Sequence, residues 1–293
     1  MNTSITSLPK VSSRWATVQG VKLFYREAGP SDGPTVVLLH GFPSSSHMFR
    51  DLIAILATGH RVIAPDYPGF GHSEAPLPSR FSYTFDRITD LMEGLLDQLG
   101  VERAAFYLQD YGGPVGFRLA TRHPSLVRAL VLQNANAYAE GLSEALGPMM
   151  PFFAERTPDT EKLARPMLQR ETTVFQYTHG APDPEAISPD AWTFDQALLD
   201  RPGNDEIQLS LLHDYRTNPP LYPVWQDYLR TQQPPTLIPW GKNDPFFTVA
   251  GAQAYLRDLP TAELHLLDAG HFALESHARE VGSLILDFLR RHP

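Results

Sequence analysis

Two aspartates and one histidine stand where apolar runs of this chain end, and together those residue types can carry out a nucleophilic substitution. The run Ala104 to Leu108 closes on Gln109-Asp110-Tyr111-Gly112-Gly113. A second run, ending at Trp240, leads into Gly241-Lys242-Asn243-Asp244-Pro245-Phe246, and a third into Asp268-Ala269-Gly270-His271-Phe272. A strand that turns at once into a helix leaves the turn residue on a tight backbone with its side chain exposed. Glycine just after it lets helix and strand approach. Asp110 stands at such a turn, although an aspartate there could equally cap the following helix. A carboxylate is ionised at neutral pH and can attack an sp³ carbon in line, forming an alkyl ester of the protein. Hydrolysing that ester needs an activated water, which makes His271 the general base and Asp244 the group that orients it. The specific signal is the chain order nucleophile, acid, histidine, with all three at strand ends.

The elements that must position these groups follow from the apolar pattern. Residues 1–13 read as a loose tail, followed by a hairpin of Trp15–Val18 and Val21–Tyr25 turning at Gln19-Gly20. Thr35–Leu39 is continuously apolar, as expected of a strand covered on both faces, and runs into His40-Gly41-Phe42-Pro43. Ser44 to Ser46 can cap a helix carrying Met48, Phe49, Leu52, Ile53 and Leu56 on one face. Arg61–Asp66 is the next strand, and Phe85–Leu99 is amphipathic at helical spacing. A helix patterned from Val115 to about His123 follows Asp110, and Ala129–Leu132 is another strand. From Tyr138 to Asp227 the chain is rich in proline and aromatic residues, with helical pieces and no strand pattern. Alternation resumes with the strand Pro235–Trp240, the helix Ala250–Leu259, the strand Ala262–Leu267 and a last helix Glu280–Leu289. Strand–helix alternation implies a parallel, doubly wound sheet, and an insertion at its carboxyl edge covers the ligand crevice.

Composition bounds the function. The 293 residues are 42% hydrophobic and 19% charged, the make-up of an ordinary globular protein. A formal charge of −9 offers no basic field for nucleic acid and disfavours an anionic membrane. With no cysteine there is no disulfide, thiol nucleophile or thiolate-ligated zinc. The start of the chain lacks the apolar stretch of a signal peptide, and no apolar run approaches the roughly 18 residues of a membrane helix. A cytoplasmic location is expected. His72, His123, His179, His213, His265 and His277 show no paired spacing for a metal, so neither metal nor other cofactor is expected.

These residues resemble the α/β-hydrolase superfamily in its aspartate-nucleophile branch, the epoxide hydrolases and haloalkane dehalogenases. The resemblance spans residues 15–290 and is strongest at His40-Gly41-Phe42-Pro43, at Asp66-Tyr67-Pro68-Gly69-Phe70-Gly71-His72-Ser73, at Gln109–Gly113, at Asp244-Pro245 and at Gly270-His271-Phe272. It implies the α/β-hydrolase fold, a mostly parallel, doubly wound, eight-stranded sheet with a helical cap insertion. The core would comprise residues 1–137 and 228–293, and the cap residues 138–227. It further implies an oxyanion hole from the backbone N–H groups of Phe42 and Tyr111. Residues expected in the substrate pocket are His40, Pro43, Gln109, Tyr177, Phe152, Trp240 and Phe272. The partners expected are a small apolar electrophile and water, with a homodimer as the one protein assembly considered.

The leaving group is argued from the residues that would hold it. Haloalkane dehalogenases place tryptophan after the nucleophile and asparagine or a second tryptophan elsewhere, where this chain has Tyr111 and Phe42. Fluoroacetate dehalogenases place arginines just after the nucleophile, which Tyr111 and Pro114 do not supply; Arg118 lies a turn further on. Epoxide hydrolases use cap tyrosines as acids. Asp214-Tyr215-Arg216-Thr217-Asn218 resembles the stretch that supplies one, giving Tyr215 that role, with Tyr177 the nearest candidate for a second. Leu108-Gln109 departs from the Gly-His usual before the nucleophile of epoxide hydrolases and resembles some dehalogenases. An epoxide hydrolase is expected, with a haloalkane or haloacid dehalogenase as the alternative. A non-catalytic small-ligand receptor is the third reading, disfavoured because a binder needs no intact set of Asp110, Asp244 and His271.

Overall fold

In the computed structural model, which describes residues 9–293, the strands are β1 (Val11–Val18), β2 (Val21–Ala28), β3 (Thr35–Leu39), β4 (Arg61–Pro65), β5 (Ala104–Gln109), β6 (Val127–Gln133), β7 (Thr236–Gly241) and β8 (Glu263–Leu267). They form one sheet in the order β1-β2-β4-β3-β5-β6-β7-β8. β1 and β2 are antiparallel to each other, β2 is antiparallel to β4, and β3 to β8 all run parallel. Strand order reverses around β3, which pairs with β4 on one side and β5 on the other. That reversal opens the crevice at the carboxyl ends of β3 and β5 in which ligands of such sheets bind.

Helices cover both faces: α1 (Arg50–Leu56), α2 (Phe85–Gln98) and α3 (Gly112–Arg122) before the insertion, then α4 (Met150–Ala154), α5 (Pro158–Ala164), α6 (Arg170–Thr178), α7 (Pro189–Leu199), α8 (Asn204–Asp214) and α9 (Tyr222–Gln232), and finally α10 (Val249–Asp258) and α11 (Ala273–Arg291). The period-two alternation of strand side chains divides the core into two. Val37, Leu39, Phe106, Leu108, Leu130 and Leu132 meet α2, α3 and α10 on one face. Val36, Leu38, Ala105, Tyr107, Ala129 and Val131 meet α1 and α11 on the other. Both sets are apolar because neither face sees water.

The structure corrects several boundaries. β1 begins at Val11, paired with Ala28, inside the expected loose tail, whose first eight residues lie outside the described ones. α3 begins at Gly112 instead of Val115, because Pro114 in a first turn forgoes an N–H that has no helical partner there. α11 begins at Ala273 instead of Glu280, with non-helical angles at His277 (φ −124°, ψ 22°) that interrupt its pattern. The segment expected as cap contains no strand among its residues. Its last helix, α9, lies against α3, where the Trp225 and Phe117 rings stack with centroids 5.3 Å apart. Among the described residues no helix is long and apolar enough to cross a membrane.

The turn from β5 into α3 depends on absent side chains. Asp110 sits in the left-handed region at φ +47°, a conformation that costs a non-glycine residue energy. A Cβ on Gly112 would fall 2.1 Å from the Leu39 carbonyl oxygen, so only glycine lets α3 start this close to β3. Gly112→Ala is predicted to destabilise the fold by about 1–3 kcal/mol, the usual penalty for overpacking. Urea unfolding followed by circular dichroism would measure it.

Candidate active site

Asp110, Asp244 and His271 come from the ends of β5, β7 and β8 and meet at one point. His271 Nδ1 is 2.8 Å from Asp244 Oδ2, and His271 Nε2 is 3.9 Å from Asp110 Oδ2. The other oxygen, Asp110 Oδ1, accepts the Phe42 N–H at 2.7 Å. The Tyr111 N–H also favours the charged carboxylate, so both expected oxyanion donors address Asp110. Asp110 does not cap α3: Tyr111 holds the N-cap position and makes no side-chain cap bond. The Asp110 side chain is therefore left to the site.

Asp244 is fixed from several sides. Its Oδ1 accepts the N–H groups of Phe246 at 2.7 Å and Phe247 at 3.2 Å, and its Oδ2 accepts Asn134 Nδ2 at 2.7 Å. Asn134 in turn bonds both backbone groups of Gly241 and accepts from Gln133 Nε2. Gln133 also donates to the His271 carbonyl oxygen at 2.9 Å and accepts the Tyr107 hydroxyl at 2.9 Å. The asparagine and glutamine side chains at the end of β6 thus join the loops that carry Asp244 and His271.

Burial and charge oppose each other here. Burial pushes the Asp110 carboxyl above the usual carboxylate range, against the contrary effects of His271 and the Phe42 and Tyr111 N–H groups. Burial also disfavours charge on His271. The Asp244 charge and hydrogen bond, together with the Asp110 charge, outweigh it and raise the imidazole above its ordinary value.

Above these groups lies a pocket lined by Phe42, Asp110, Tyr111, Leu146, Met149, Phe153, Met167, Gln176, Leu212, Tyr215, Phe246, Phe247 and His271. Tyr215 follows α8 and faces this pocket, as expected of a cap acid; burial raises its phenol well above the usual value, and the Tyr222 hydroxyl is its neighbour. A wider cleft, rimmed by Leu142, Met150, Arg216 and Pro219, shares Leu146, Phe153 and Tyr215 with the pocket.

The seven residues expected in the pocket do not form its wall. His40 is buried, stacks on Tyr67 with centroids 4.1 Å apart and accepts the Tyr67 N–H at 3.1 Å; desolvation lowers its pKa to about 4. Pro43 is buried in the same loop. Trp240 donates from Nε1 to the Phe247 carbonyl oxygen at 3.3 Å. Tyr177 bonds Asp195 and stacks on Phe272, the rings 4.0 Å apart, so neither ring reaches the pocket. Phe152 packs beside His213, and the Gln109 side-chain nitrogen lies 3.0 Å from His271 Nε2. Gln176 lines the pocket in place of Tyr177, and from the apolar run Met149-Met150-Pro151-Phe152-Phe153 it is Met149 and Phe153 that do so. Neighbours on a helix point about 100° apart, so the wall position passes to the adjacent residue. Arg118 is 3% exposed; it pairs with Asp86 at 2.7 Å and donates to Asn218 at 2.8 Å and Thr217 at 3.2 Å.

Sequence patterns gave no signal for Gln176. Its Nε2 and the Tyr111 hydroxyl are buried at the pocket and have no hydrogen-bond partner among the described residues. A buried polar atom without a partner destabilises a fold, and such atoms are concentrated at functional sites.

Known proteins share this fold. A family model described as the alpha/beta hydrolase fold matches residues 34–278. An uncharacterized hydrolase of Saccharomyces cerevisiae is 45% identical over 271 residues, 91% of this chain and 93% of that one. A haloalkane dehalogenase structure from Bradyrhizobium elkani USDA94 superposes with TM-score 0.78 at 24% identity, covering 96% of this chain and 98% of that one. An epoxide hydrolase structure from Vigna radiata superposes with TM-score 0.76 at 24% identity, covering 96% and 98%. At that identity the superpositions establish the shared fold.

Tyr111→Phe and Gln176→Leu each replace an unpaired polar group with an apolar one of similar shape. Each is predicted to stabilise the ligand-free protein by about 1 kcal/mol, a gain opposite in sign to the usual core substitution. Chemical denaturation of both variants would show it.

Proposed function

The chain belongs to the α/β-hydrolase fold family, and from that premise we propose that it hydrolyses epoxides through an alkyl ester on Asp110. The observation that carries this reading is a cap phenol, Tyr215, on the same apolar pocket as a carboxylate held against a backbone N–H. In the first step Asp110 Oδ2 attacks an epoxide carbon and the carbon–oxygen bond breaks. Tyr215 gives its proton to the departing oxygen, leaving a hydroxyalkyl ester and a phenolate. In the second, water adds to the ester carbon of Asp110 while His271 Nε2 takes its proton. The oxyanion forms on Oδ1, where Phe42 N–H already points, and its collapse releases the diol. The imidazolium proton then returns through solvent to the phenolate, which restores the starting state.

The charge arrangement suits this order of events. Before alkylation the Asp110 charge helps raise the His271 pKa. Esterification removes that charge, so the imidazole becomes easier to deprotonate at the step that needs it neutral. Asp244→Asn should leave ester formation intact and slow hydrolysis by about 10⁴-fold, as when an orienting acid is lost from a comparable triad.

Halide displacement from a haloalkane is the second reading. It draws support from the unpartnered Tyr111 hydroxyl and Gln176 amide, two donors that could hold a halide. Intact mass of the His271→Ala protein after incubation with small epoxides, and separately with haloalkanes, distinguishes the two. An adduct equal to the whole epoxide supports the first reading. An adduct lacking hydrogen halide, with halide in solution, supports the second, and no adduct from either class counts against both. Tyr215→Phe should slow epoxide opening by about 10²-fold or more, the usual contribution of a general acid, and leave halide displacement unchanged.

The raised Asp110 pKa sets the direction of the pH dependence. Below that pKa the carboxyl is protonated and cannot attack. The acid limb of kcat/KM is therefore predicted to lie above the ordinary carboxylate range near 4, and a pH–rate profile would locate it.

A further inference from the structure

Gln109 is fully buried as the last residue of β5, next to the nucleophile in sequence. Its side-chain nitrogen lies 3.0 Å from His271 Nε2, the ring nitrogen 3.9 Å from Asp110 Oδ2. Since His271 Nδ1 engages Asp244 at 2.8 Å, the neutral imidazole carries its proton there and its lone pair on Nε2. An amide N–H can only donate to that lone pair. On the next strand Gln133, the register partner of Gln109, donates to the His271 carbonyl oxygen at 2.9 Å. The Gln109 Oε1 atom is buried without a partner among the described residues, beside Gly41, whose Cβ would fall 2.5 Å from it.

We propose that Gln109 is a positioning residue for the base: its amide N–H holds the Nε2 lone pair and keeps His271 neutral, in one tautomer, turned toward Asp110. The proposal rests on the reading of Asp110 as the group that is esterified. The charged groups facing the ring are Asp110 and Asp244, and both favour imidazolium, which cannot take a proton from water. The other near neighbours, Phe246, Phe247 and Phe272, bring only aromatic rings. Burial and the Gln109 N–H work in the opposite direction. During hydrolysis water displaces the amide at Nε2, sends one proton to the ring and its oxygen to the ester carbon.

The test is an NMR titration of the His271 ring in the whole protein, wild type against Gln109→Met and Gln109→Glu. Methionine cannot donate, and glutamate keeps the shape of glutamine but as a carboxylate only accepts. Both should raise the His271 pKa, methionine by about one pH unit and glutamate by more. In turnover the acid limb of kcat should move to higher pH by the same amount. In the His271→Ala background, Gln109→Met should leave the rate of ester formation unchanged, because the proposed role acts through the ring. A His271 pKa that stays put or falls in both variants overturns the proposal. So does slower ester formation in that background, which would place Gln109 on the nucleophile. Absence of any ester would instead defeat the esterification reading, while the titration still decides the role of Gln109.

Discussion

One imidazole sits between two carboxylates where water is largely excluded, and the site depends on that contest. Burial alone pushes the Asp110 carboxyl toward its protonated form and the His271 ring toward its neutral one. Together they hold charge that burial disfavours, with hydrogen bonds in place of solvent: Phe42 N–H on Asp110, and the Phe246, Phe247 and Asn134 donors on Asp244. Most of these donors are fixed by the backbone, so they hold that charge with little rearrangement.

The fold supplies those donors through its topology. Reversal of strand order around β3 brings the Phe42 loop beside Asp110, and parallel β7 and β8 deliver Asp244 and His271 from neighbouring strand ends. Close approach is possible because glycine stands at the contacts. A Cβ on Gly41 would fall 2.2 Å from Asp110 Cβ, and one on Gly112 would meet the Leu39 carbonyl. The positive φ of Asp110 is held by packing on both sides of the turn.

Much of this could be read before any coordinates were considered. Asp110, Asp244 and His271 were legible because each follows an apolar strand, and strand ends in a doubly wound sheet converge on one edge. Tyr215 was legible through the motif around it. The pocket wall was legible only in part: Met149 and Phe153 belong to an apolar run that suits a pocket, whereas Gln176 differs from Tyr177 only in helical phase, which a helix as short as α6 has too few turns to set. Nor did sequence reveal that Gln109 touches His271, a pairing across 162 residues that exists only once β5 and the last loop are side by side. The early start of α11 was hidden by the break at His277.

Arg118 links two parts of the site that the chain keeps far apart. It lies on α3, the helix that begins beside the nucleophile, and it grips Thr217 and Asn218, just past Tyr215. Asp214, on the other side of Tyr215, accepts the Phe85 N–H at the start of α2 at 2.8 Å. The phenol is thus clamped at both flanks to the sheet's own helices. The separation of the Tyr215 hydroxyl from Asp110 is therefore a property of the core, like the gap of a fixed-jaw caliper. Leu146, Met149 and Phe153, on the opposite side of the pocket, have no such tie to the core among the described hydrogen bonds, so the two walls of one pocket are held to different standards of rigidity.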